Sequence, residues 1–493
     1  MHPCGCPVPA DVRRGCNPRR TGRGPHVLLP MPRRRSASSR PSRSAAPAVP
    51  VYRGPFGRPQ AERLLWRAGF GPRPGDVDRA VAAGLDRTVD ALVRPSGAAK
   101  LVGPQPKDDK GRPLAPTDAW GHDHCWWFDR MVRSDQPLVE RMTLVWHDWF
   151  ATREVPKNLA LRQNATQRTH ALGRFDLLLR EMTRDPAMLL WLSGSGSDPK
   201  NPNENYAREL MELFTLGAGR GAYRERDVRE LASALTGFTN QWSSSRGPHG
   251  FRFDRRRHDA RVKTALGVRG RLDWEDACRI CVEHRMHPSF FVHRLWSQFV
   301  PTPPDAATSK ALSALYRQSG HRIRPVVAAI LRHPALHTGP RMVTPPVVHA
   351  AGLLRAVDRG VSTSAWAWLS GLSGQTLFQP PNVSGWDETR WLDTSTWRGR
   401  WQALPTILQG LVVQGDDQVA AYSPTESAEE ALQAAIRFWG SPTLTPTTVD
   451  ALRAFAHRVE GAVDKTWKAR PYRAMRQNAL RYLIATSPDL QTS

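Results

Sequence analysis

Hydrophobic residues recur along most of this chain at the three-to-four-residue spacing of an amphipathic α-helix. The pattern becomes regular near residue 55, and "GFGPRPG" at 69–75 then separates two helical segments into a hairpin. Comparable periods follow over about 119–133, 137–151, 158–181, 185–192, 202–216, 225–236, 273–286, 288–299, 306–319, 323–334, 345–357, 427–440 and 447–486. The pattern predicts a mainly α-helical fold, a large irregular multi-helix domain with long ordered loops.

Two stretches lack this helical period. Residues 240–270 include the alternating "FRF", which predicts a short β-hairpin or an ordered loop, so we expect a short β-hairpin at most. Residues 371–401 are rich in glycine, proline and tryptophan, which predicts an extended irregular loop.

Composition divides the chain into three parts. Residues 1–54 are rich in arginine, proline and serine and are predicted to form a disordered arm. Residues 55–410 are predicted to form the helical domain, and 411–493 a C-terminal helical extension packed on it. The basic run "RRRSASSR" resembles the start of an export signal, but the apolar segment after it is short and broken by proline, so we expect no secretory signal. No run of 18 apolar residues occurs, so we expect no transmembrane helix.

The net charge of +25 comes from nine lysines and 61 arginines against 45 acidic residues. No nucleic-acid-binding motif or stacking platform accompanies this charge, so we do not expect nucleic acid as a partner. Cys278, Cys281, His284 and His287 have zinc-ligand chemistry, but they lie at uniform three-residue steps in one predicted helix. Such steps spread the four side chains over about 13.5 Å, too far for a single zinc ion.

The most polar helix is predicted within "NPNENYARELMELFTLG", residues 201–217, with Asn201 as its N-cap and Gly217 as its stop. Its polar half carries Glu204, Asn205, Arg208, Glu209 and Glu212. One interpretation is a solvated face, in which Arg208 pairs with glutamates one turn away on either side. The other is a face lining a cleft, in which a crowded glutamate performs acid–base chemistry. If that face is interior, Arg208→Ala costs about 3–5 kcal/mol, and we expect this larger value.

Two further segments present polar side chains. Glu140 and His147 share one face of a predicted helix, where a carboxylate can orient a histidine as a general base or metal ligand, or simply form an interhelical hydrogen bond. His258, Asp259 and Lys263 lie in a non-helical segment, where functional groups are often presented, although adjacent polar residues are common in loops.

The loop "QPPNVSGW" contains Asn382 in a proline-stiffened turn, with Trp386 close behind. Such a loop can hold an aromatic platform over a polar ligand such as a sugar, or it can cap the helical core.

The segment "PNENYARELMELFTLG" closely resembles the signature of the bacterial domain of unknown function 1800 family. Other blocks are similar to that family in the same order: "LLWRAGFGPRPGDV", "LVERMTLVWHDWFAT", "DPAMLLWL", "RDVRELASALTGFT", "HDARVKTALG", "FVHRLWSQFV" and "GQTLFQPPNVSGWDETRWL". The resemblance covers about residues 55–410. It departs from the family at Arg63, where histidine is common, at Ser193, where aspartate is expected, and at Arg261, which replaces a glycine.

The resemblance implies little about function, since the family is named for having none established. Its members are often exported and encoded beside a second exported family, which implies that protein as a partner. We therefore expect a scaffold or binding partner in an envelope- or export-linked system. The alternative is a hydrolase-like or metal-assisted enzyme that uses a Glu/His/Asp/Arg cleft. The sequence favours no particular cofactor, metal, oligomeric state or localisation.

We expect the polar blocks to converge on one central cleft. Its candidate catalytic residues are His147, Glu209, Glu212, His258 and Asp259. Its candidate binding residues are Asn203, Glu204, Asn205, Arg208, Lys263, Asn382 and Trp386.

Overall fold

The helical period of the sequence is realised in the computed structural model, which describes residues 48–414, 426–461 and 469–493. Most of the predicted arm, 1–47, lies outside these residues. The described residues contain 21 α-helices: α1 (Arg58–Ala68), α2 (Asp76–Val93), α3 (His122–Arg133), α4 (Pro137–Trp149), α5 (Lys157–Thr169), α6 (Phe175–Thr183), α7 (Pro186–Trp191), α8 (Glu204–Glu209), α9 (Glu225–Ala234), α10 (Trp274–Glu283), α11 (His287–Ser297), α12 (Ala306–Gln318), α13 (Ile323–Leu331), α14 (Pro334–Thr338), α15 (Pro346–Ala356), α16 (Trp366–Leu372), α17 (Thr394–Leu408), α18 (Ala428–Phe438), α19 (Pro446–Gly461), α20 (Ala469–Thr486) and α21 (Pro488–Gln491). The predicted mainly α-helical fold is confirmed.

Side-chain caps explain where several helices begin. A carboxylate or hydroxyl oxygen accepts backbone N–H groups of the first turn, which have no partner within the helix. The capping residues are Asp185 for α7, Asp273 for α10, Asp305 for α12, Asp393 for α17 and Ser427 for α18.

The segment predicted as a short hairpin or loop forms two antiparallel hairpins. Strand β1 (Phe238–Ser243) pairs with β2 (Gly247–Phe253), and β3 (Lys263–Ala265) pairs with β4 (Val268–Gly270). A single 3₁₀ turn, Arg255–Arg257, connects the hairpins. Phe238 is buried at the base of the first hairpin, whereas its tip is exposed.

The structure corrects three sequence predictions. The segment 158–181 is not one helix, because the chain turns between α5 and α6 near Gly173. The segment 371–401 is not wholly irregular, since α16 ends in it and α17 begins in it. The segment 202–216 divides into the short α8 and a π-helical segment, Leu210–Thr215, in which the Leu216 N–H donates to the Met211 carbonyl five residues earlier.

Two hydrophobic clusters meet at α4. Leu138, Met142 and Trp149 belong to the first cluster, which also includes side chains of α6 and α9–α13. Leu144 belongs to the second cluster, which includes side chains of α3, α15, α17, α18 and α20. Because α4 is buried on nearly every side, its polar residues lie in the protein interior or along the edge of a cavity.

Candidate functional site

One polar face of α4 carries Arg141 and Asp148, seven residues apart. Asp148 borders a cavity of about 500 Å³, which we call the central cleft. Its charged and aromatic lining consists of Asp148, Glu212, Arg220, Phe290, Arg294, Trp386 and Glu388. These residues come from α4, the π-helical segment and the turn after it, α11 and the 380–390 loop, so the cleft gathers segments far apart in sequence.

The 380–390 loop is attached directly to Asp148. The Asn382 side chain accepts a hydrogen bond from the Ser384 N–H, and the Asn382 carbonyl accepts one from the Gly385 N–H. This turn directs the Trp386 N–H to Oδ1 of Asp148, at 2.8 Å. Gly385 has a φ of +96°, and a Cβ atom there would lie 2.1 Å from Oδ1 of Asp148. Only glycine therefore fits this approach without distortion.

The cleft contains acidic and basic groups that remain unpaired with one another. Burial raises the pKa of Asp148, against the opposing effects of Arg294, the Trp386 N–H and Arg141. Crowding by protein atoms, and then the charge of Asp148, raise the pKa of Glu388, although that residue is exposed at the rim. Among the residues that the structure describes, no nitrogen–oxygen contact within 4.0 Å joins Arg141 or Arg294 to either carboxylate.

The two arginines are held by backbone groups and by an aromatic ring. The Arg294 guanidinium lies 4.5 Å from the ring centre of Trp149 and donates to the carbonyls of Leu213 and Asp148. Arg141 donates to the Gln298 carbonyl, and burial lowers its pKa to about 10. Both charges are thus positioned independently of the two carboxylates.

His147 does not occupy the arrangement predicted for it. Its ring is buried against Trp127, Phe378 and Trp386, and burial lowers its pKa to about 3, so it is neutral at ordinary pH. Nε2 of His147 has no hydrogen-bond partner among the described residues. Glu140, the predicted orienting carboxylate, instead accepts hydrogen bonds from Arg130 and Arg168.

The polar helix begins later than predicted. Asn203, rather than Asn201, is the N-cap of α8, and its side chain accepts from the Tyr206 N–H and donates to the carbonyls of Leu192 and Ser193. Glu204 and Asn205 are exposed. Asn203 therefore has a structural role at the start of the helix.

Arg208 is not an interior residue, contrary to the sequence prediction. Its guanidinium makes two 2.8 Å hydrogen bonds to Glu225 of α9 and lies 3.8 Å from Glu212. The Arg208 side chain is 34% exposed and that of Glu225 is 62% exposed. Burial, and then the charge of Glu212, raise the pKa of Glu209, which is not among the residues lining the cleft. Of the predicted glutamates, Glu212 lines the cleft, and it accepts a hydrogen bond from the Tyr223 hydroxyl.

The end of this helix, more than its charged face, connects it with the cleft. Four successive carbonyls at its C-terminal end accept hydrogen bonds from side chains of other segments or the following turn: Leu213 from Arg294, Phe214 from Trp149, Thr215 from His287, and Leu216 from Arg220. Such carbonyls have no partner within a helix. Gly217 then ends the helix with a φ of +88°, as the sequence predicted.

The "HD" loop makes its contacts elsewhere. His258 Nδ1 contacts the Thr236 carbonyl at 3.0 Å, and the Asp259 carboxylate accepts from Arg261. The buried Lys263 ammonium donates to the carbonyls of Asp259, Arg261 and Leu272. None of these loop residues is among those lining the central cleft.

Trp386 lies between two cavities. A second, larger cavity of about 1120 Å³ lies beyond the 380–390 loop and includes Thr376, Gln379 and Arg390. Trp386 is almost buried, so it forms a wall of both cavities and offers no open platform. We place the candidate site in the smaller cavity because both carboxylates with raised pKa lie there.

The structure thus assembles part of the predicted site and adds residues that sequence reasoning missed. Glu212 and Trp386 line the central cleft, as do the unpredicted Asp148, Arg294 and Glu388. Asp148 directly follows His147, and Glu388 follows Trp386 by two residues, so both missed carboxylates were within motifs already recognised. No group of three or more His, Cys, Asp or Glu side chains suited to a metal ion occurs in the described part of the chain.

Fold and site together define a mainly helical protein with a charged cleft assembled from segments distant in sequence. Residues 63–492 match the family model described as "Protein of unknown function (DUF1800)", and the chain belongs to that family. The match continues through the last helices, beyond the residue 410 at which the recognised sequence blocks end. Searches of curated proteins and of solved structures gave no match. None of the helices described is both long and apolar enough to cross a membrane.

Proposed function

We propose that this protein is a binding protein, acting as a scaffold in an envelope- or export-linked system, and that its central cleft holds a cationic group of its partner. The partner we favour is a second exported protein that presents a lysine or arginine side chain. The observation that carries this proposal is the meeting of Asp148 and Glu388 at one cavity, with neither carboxylate closed into an ion pair with Arg141 or Arg294.

The chemistry of the cleft supports a cationic ligand. A carboxylate whose pKa is raised by burial gains most from a positive charge brought to it, because that charge stabilises its ionised form. The nearby guanidiniums of Arg220 and Arg294 can donate hydrogen bonds to carbonyl or carboxylate oxygens of the same ligand. A volume of about 500 Å³ lies within the range of pockets for small ligands and accommodates one side chain with its flanking peptide groups.

A second candidate function rests on the raised pKa of both carboxylates. One carboxyl group kept protonated beside an ionised one is the arrangement of a general acid with a general base. This supports the hydrolase-like alternative, with Asp148 and Glu388 in place of His147 and the "HD" loop.

Binding of N-acetyl-arginine amide tests the leading proposal, with N-acetyl-glutamine amide as its uncharged counterpart. Titration calorimetry of the full chain should detect the cationic probe and not the neutral one. Asp148→Asn should weaken binding at least about tenfold, because a charge-assisted contact of about 1.5–3 kcal/mol is lost. The asparagine side chain can still accept the Trp386 N–H, so the loop should stay in place.

The pH dependence follows from the raised pKa of Asp148. The cation binds the ionised carboxylate, so affinity should rise as pH rises through that pKa and then level off. Glu275→Gln, which changes an exposed acid on α10, is the matched control and should bind as the parent does. Equal binding by Asp148→Asn, or equal affinity for the neutral probe, would refute the proposal. Turnover of N-acetyl-arginine p-nitroanilide that is lost in Asp148→Asn would establish the enzymatic alternative.

A further inference from the structure

The two β-hairpins carry a concentrated positive charge, and none of their residues lines the central cleft. Residues 238–271 contain eight arginines and Lys263, against only Asp254 and Asp259. Two of the arginines have ion-pair partners: Arg261 contacts Glu230 and Asp259, and Arg257 lies 4.0 Å from Asp198. Six exposed arginines have no ion-pair partner among the described residues: Arg246, Arg252, Arg255, Arg256, Arg269 and Arg271.

An exposed tryptophan accompanies this charge. Trp242 lies at the distal end of β1, is 72% exposed, and pairs in register with Pro248. Arg246 follows it in the turn that joins β1 to β2. The base of the hairpin is anchored, since Phe238 is buried and packs against Phe253 and Trp274. The hairpin therefore presents an aromatic ring and the basic Arg246 at its exposed end, while its base is held by the core.

We propose that these hairpins bind the surface of an anionic lipid membrane, with Trp242 at the level of the lipid headgroups. Charge complementarity selects the partner, because six exposed arginines without ion-pair partners on one pair of hairpins attract an anionic surface. Tryptophan is enriched at membrane–water interfaces, and basic residues near an anionic membrane surface each contribute favourably to binding. This function is additional to the ligand binding proposed for the central cleft.

A single exposed ring favours a membrane over single-stranded nucleic acid. Proteins that bind single strands generally stack successive bases on several aromatic side chains along a basic groove. Within the described hairpins, Trp242 is the only strongly exposed aromatic residue, while Phe238 is buried and Phe253 is partly buried. One ring suits insertion at an interface and offers no continuous stacking surface.

Flotation of the full chain with lipid vesicles tests the proposal. Vesicles of phosphatidylcholine alone are compared with vesicles containing about 30% anionic phosphatidylglycerol, at about 0.1 M salt and at higher salt. We expect binding to the anionic vesicles only, decreasing as salt increases. Replacing Arg246, Arg255 and Arg256 together by serine should weaken binding by about 100-fold, since each basic residue contributes roughly a fivefold factor. Trp242→Ala should weaken it by about tenfold through lost burial of the ring.

Matched controls exclude effects of overall charge and exposure. Trp120→Ala removes a ring that is 70% exposed outside the hairpins. A triple serine substitution of the exposed Arg87, Arg317 and Arg437 lowers the net charge equally. Both controls should bind vesicles as the parent does. Equal losses in the control and hairpin variants, binding to uncharged vesicles, or no vesicle binding would overturn the proposal. The proposal would also be overturned if the hairpin variants lost binding to a single-stranded oligonucleotide but kept binding to vesicles.

Discussion

Replacing Gly385 by alanine should disrupt the contact between the 380–390 loop and α4. Two separate costs arise at this position. The backbone has a φ of +96°, which residues with a Cβ atom rarely adopt. The added methyl group would also lie 2.1 Å from Oδ1 and 2.8 Å from the backbone carbonyl oxygen of Asp148. The second atom belongs to the backbone of α4, so a side-chain rotation alone cannot relieve the overlap.

The expected loss in the free energy of unfolding has the same two parts. Placing a non-glycine residue in a left-handed conformation costs about 1–2 kcal/mol. Overpacking a well-packed site typically costs a further ~1–3 kcal/mol. Gly385→Ala should therefore lower the free energy of unfolding by about 2–5 kcal/mol, and it should weaken ligand binding by moving Trp386 away from Asp148.

Gly196→Ala is the matched control. Gly196 has a φ of +91°, and a Cβ atom there would meet no atom within 4 Å. The Gly196→Ala variant therefore has the cost of a left-handed backbone conformation but no steric overlap. Urea denaturation of the parent and both variants, followed by far-ultraviolet circular dichroism, then isolates the steric part as the difference between the two variants.

Equal destabilisation by the two alanines would refute the reasoning. It would mean that the 380–390 loop does not approach Asp148 closely, and the central cleft would lose the wall formed by Trp386. A variant at Gly385 that is destabilised as expected, yet binds the cationic probe like the parent, would instead separate the loop contact from ligand binding.

Two further predictions concern single charged side chains. Arg208→Ala should lower the free energy of unfolding by less than about 1 kcal/mol in a urea melt, because its pair with Glu225 is solvent-exposed; a loss near 3 kcal/mol would show that this face is buried. Burial raises the pKa of Asp185 to about 6 from the ordinary 3.8. Between these pH values the folded state binds more protons than the unfolded state does. The free energy of unfolding should therefore fall as pH rises through this range, by up to about 3 kcal/mol. Asp185→Asn should remove that fall when melts at pH about 4 and 7 are compared, and an unchanged pH dependence would contradict the raised pKa.

Sequence reasoning predicted the helices well where one apolar face packs against the core. The period of α4 is clear, because Leu138, Met142 and Trp149 follow one face into the first cluster. It could not predict the π-helical segment, since the period of residues 210–215 looks the same until the partners of their carbonyls are known. Those partners lie far along the chain, at Trp149 and Arg294 among others.

The residues of the candidate site were predicted less well than the helices. His147 and Asp148, which are neighbours on α4, show why. Consecutive helical residues project about 100° apart. His147 therefore points into the aromatic cluster, while Asp148, one position later, borders the cleft. Residue type favoured His147 as the general base or metal ligand of the site. The direction of each side chain, however, depends on what α4 packs against. That packing involves Phe378 and Trp386, more than 200 residues away.

The π-helical segment connects the polar helix, which it continues from α8, with the cleft. Widening the helical turn changes which carbonyls remain unpaired at its end, and those of Leu213 and Phe214 become acceptors for Arg294 and Trp149. Arg294 is then held between the carbonyl of Leu213 and the ring of Trp149, with its guanidinium at the cleft. The charged face around Arg208 makes a solvent-exposed pair and can tolerate change. We therefore infer that the polar helix contributes to this site chiefly through Glu212 and its terminal carbonyls, which position Arg294 beside the carboxylate of Asp148.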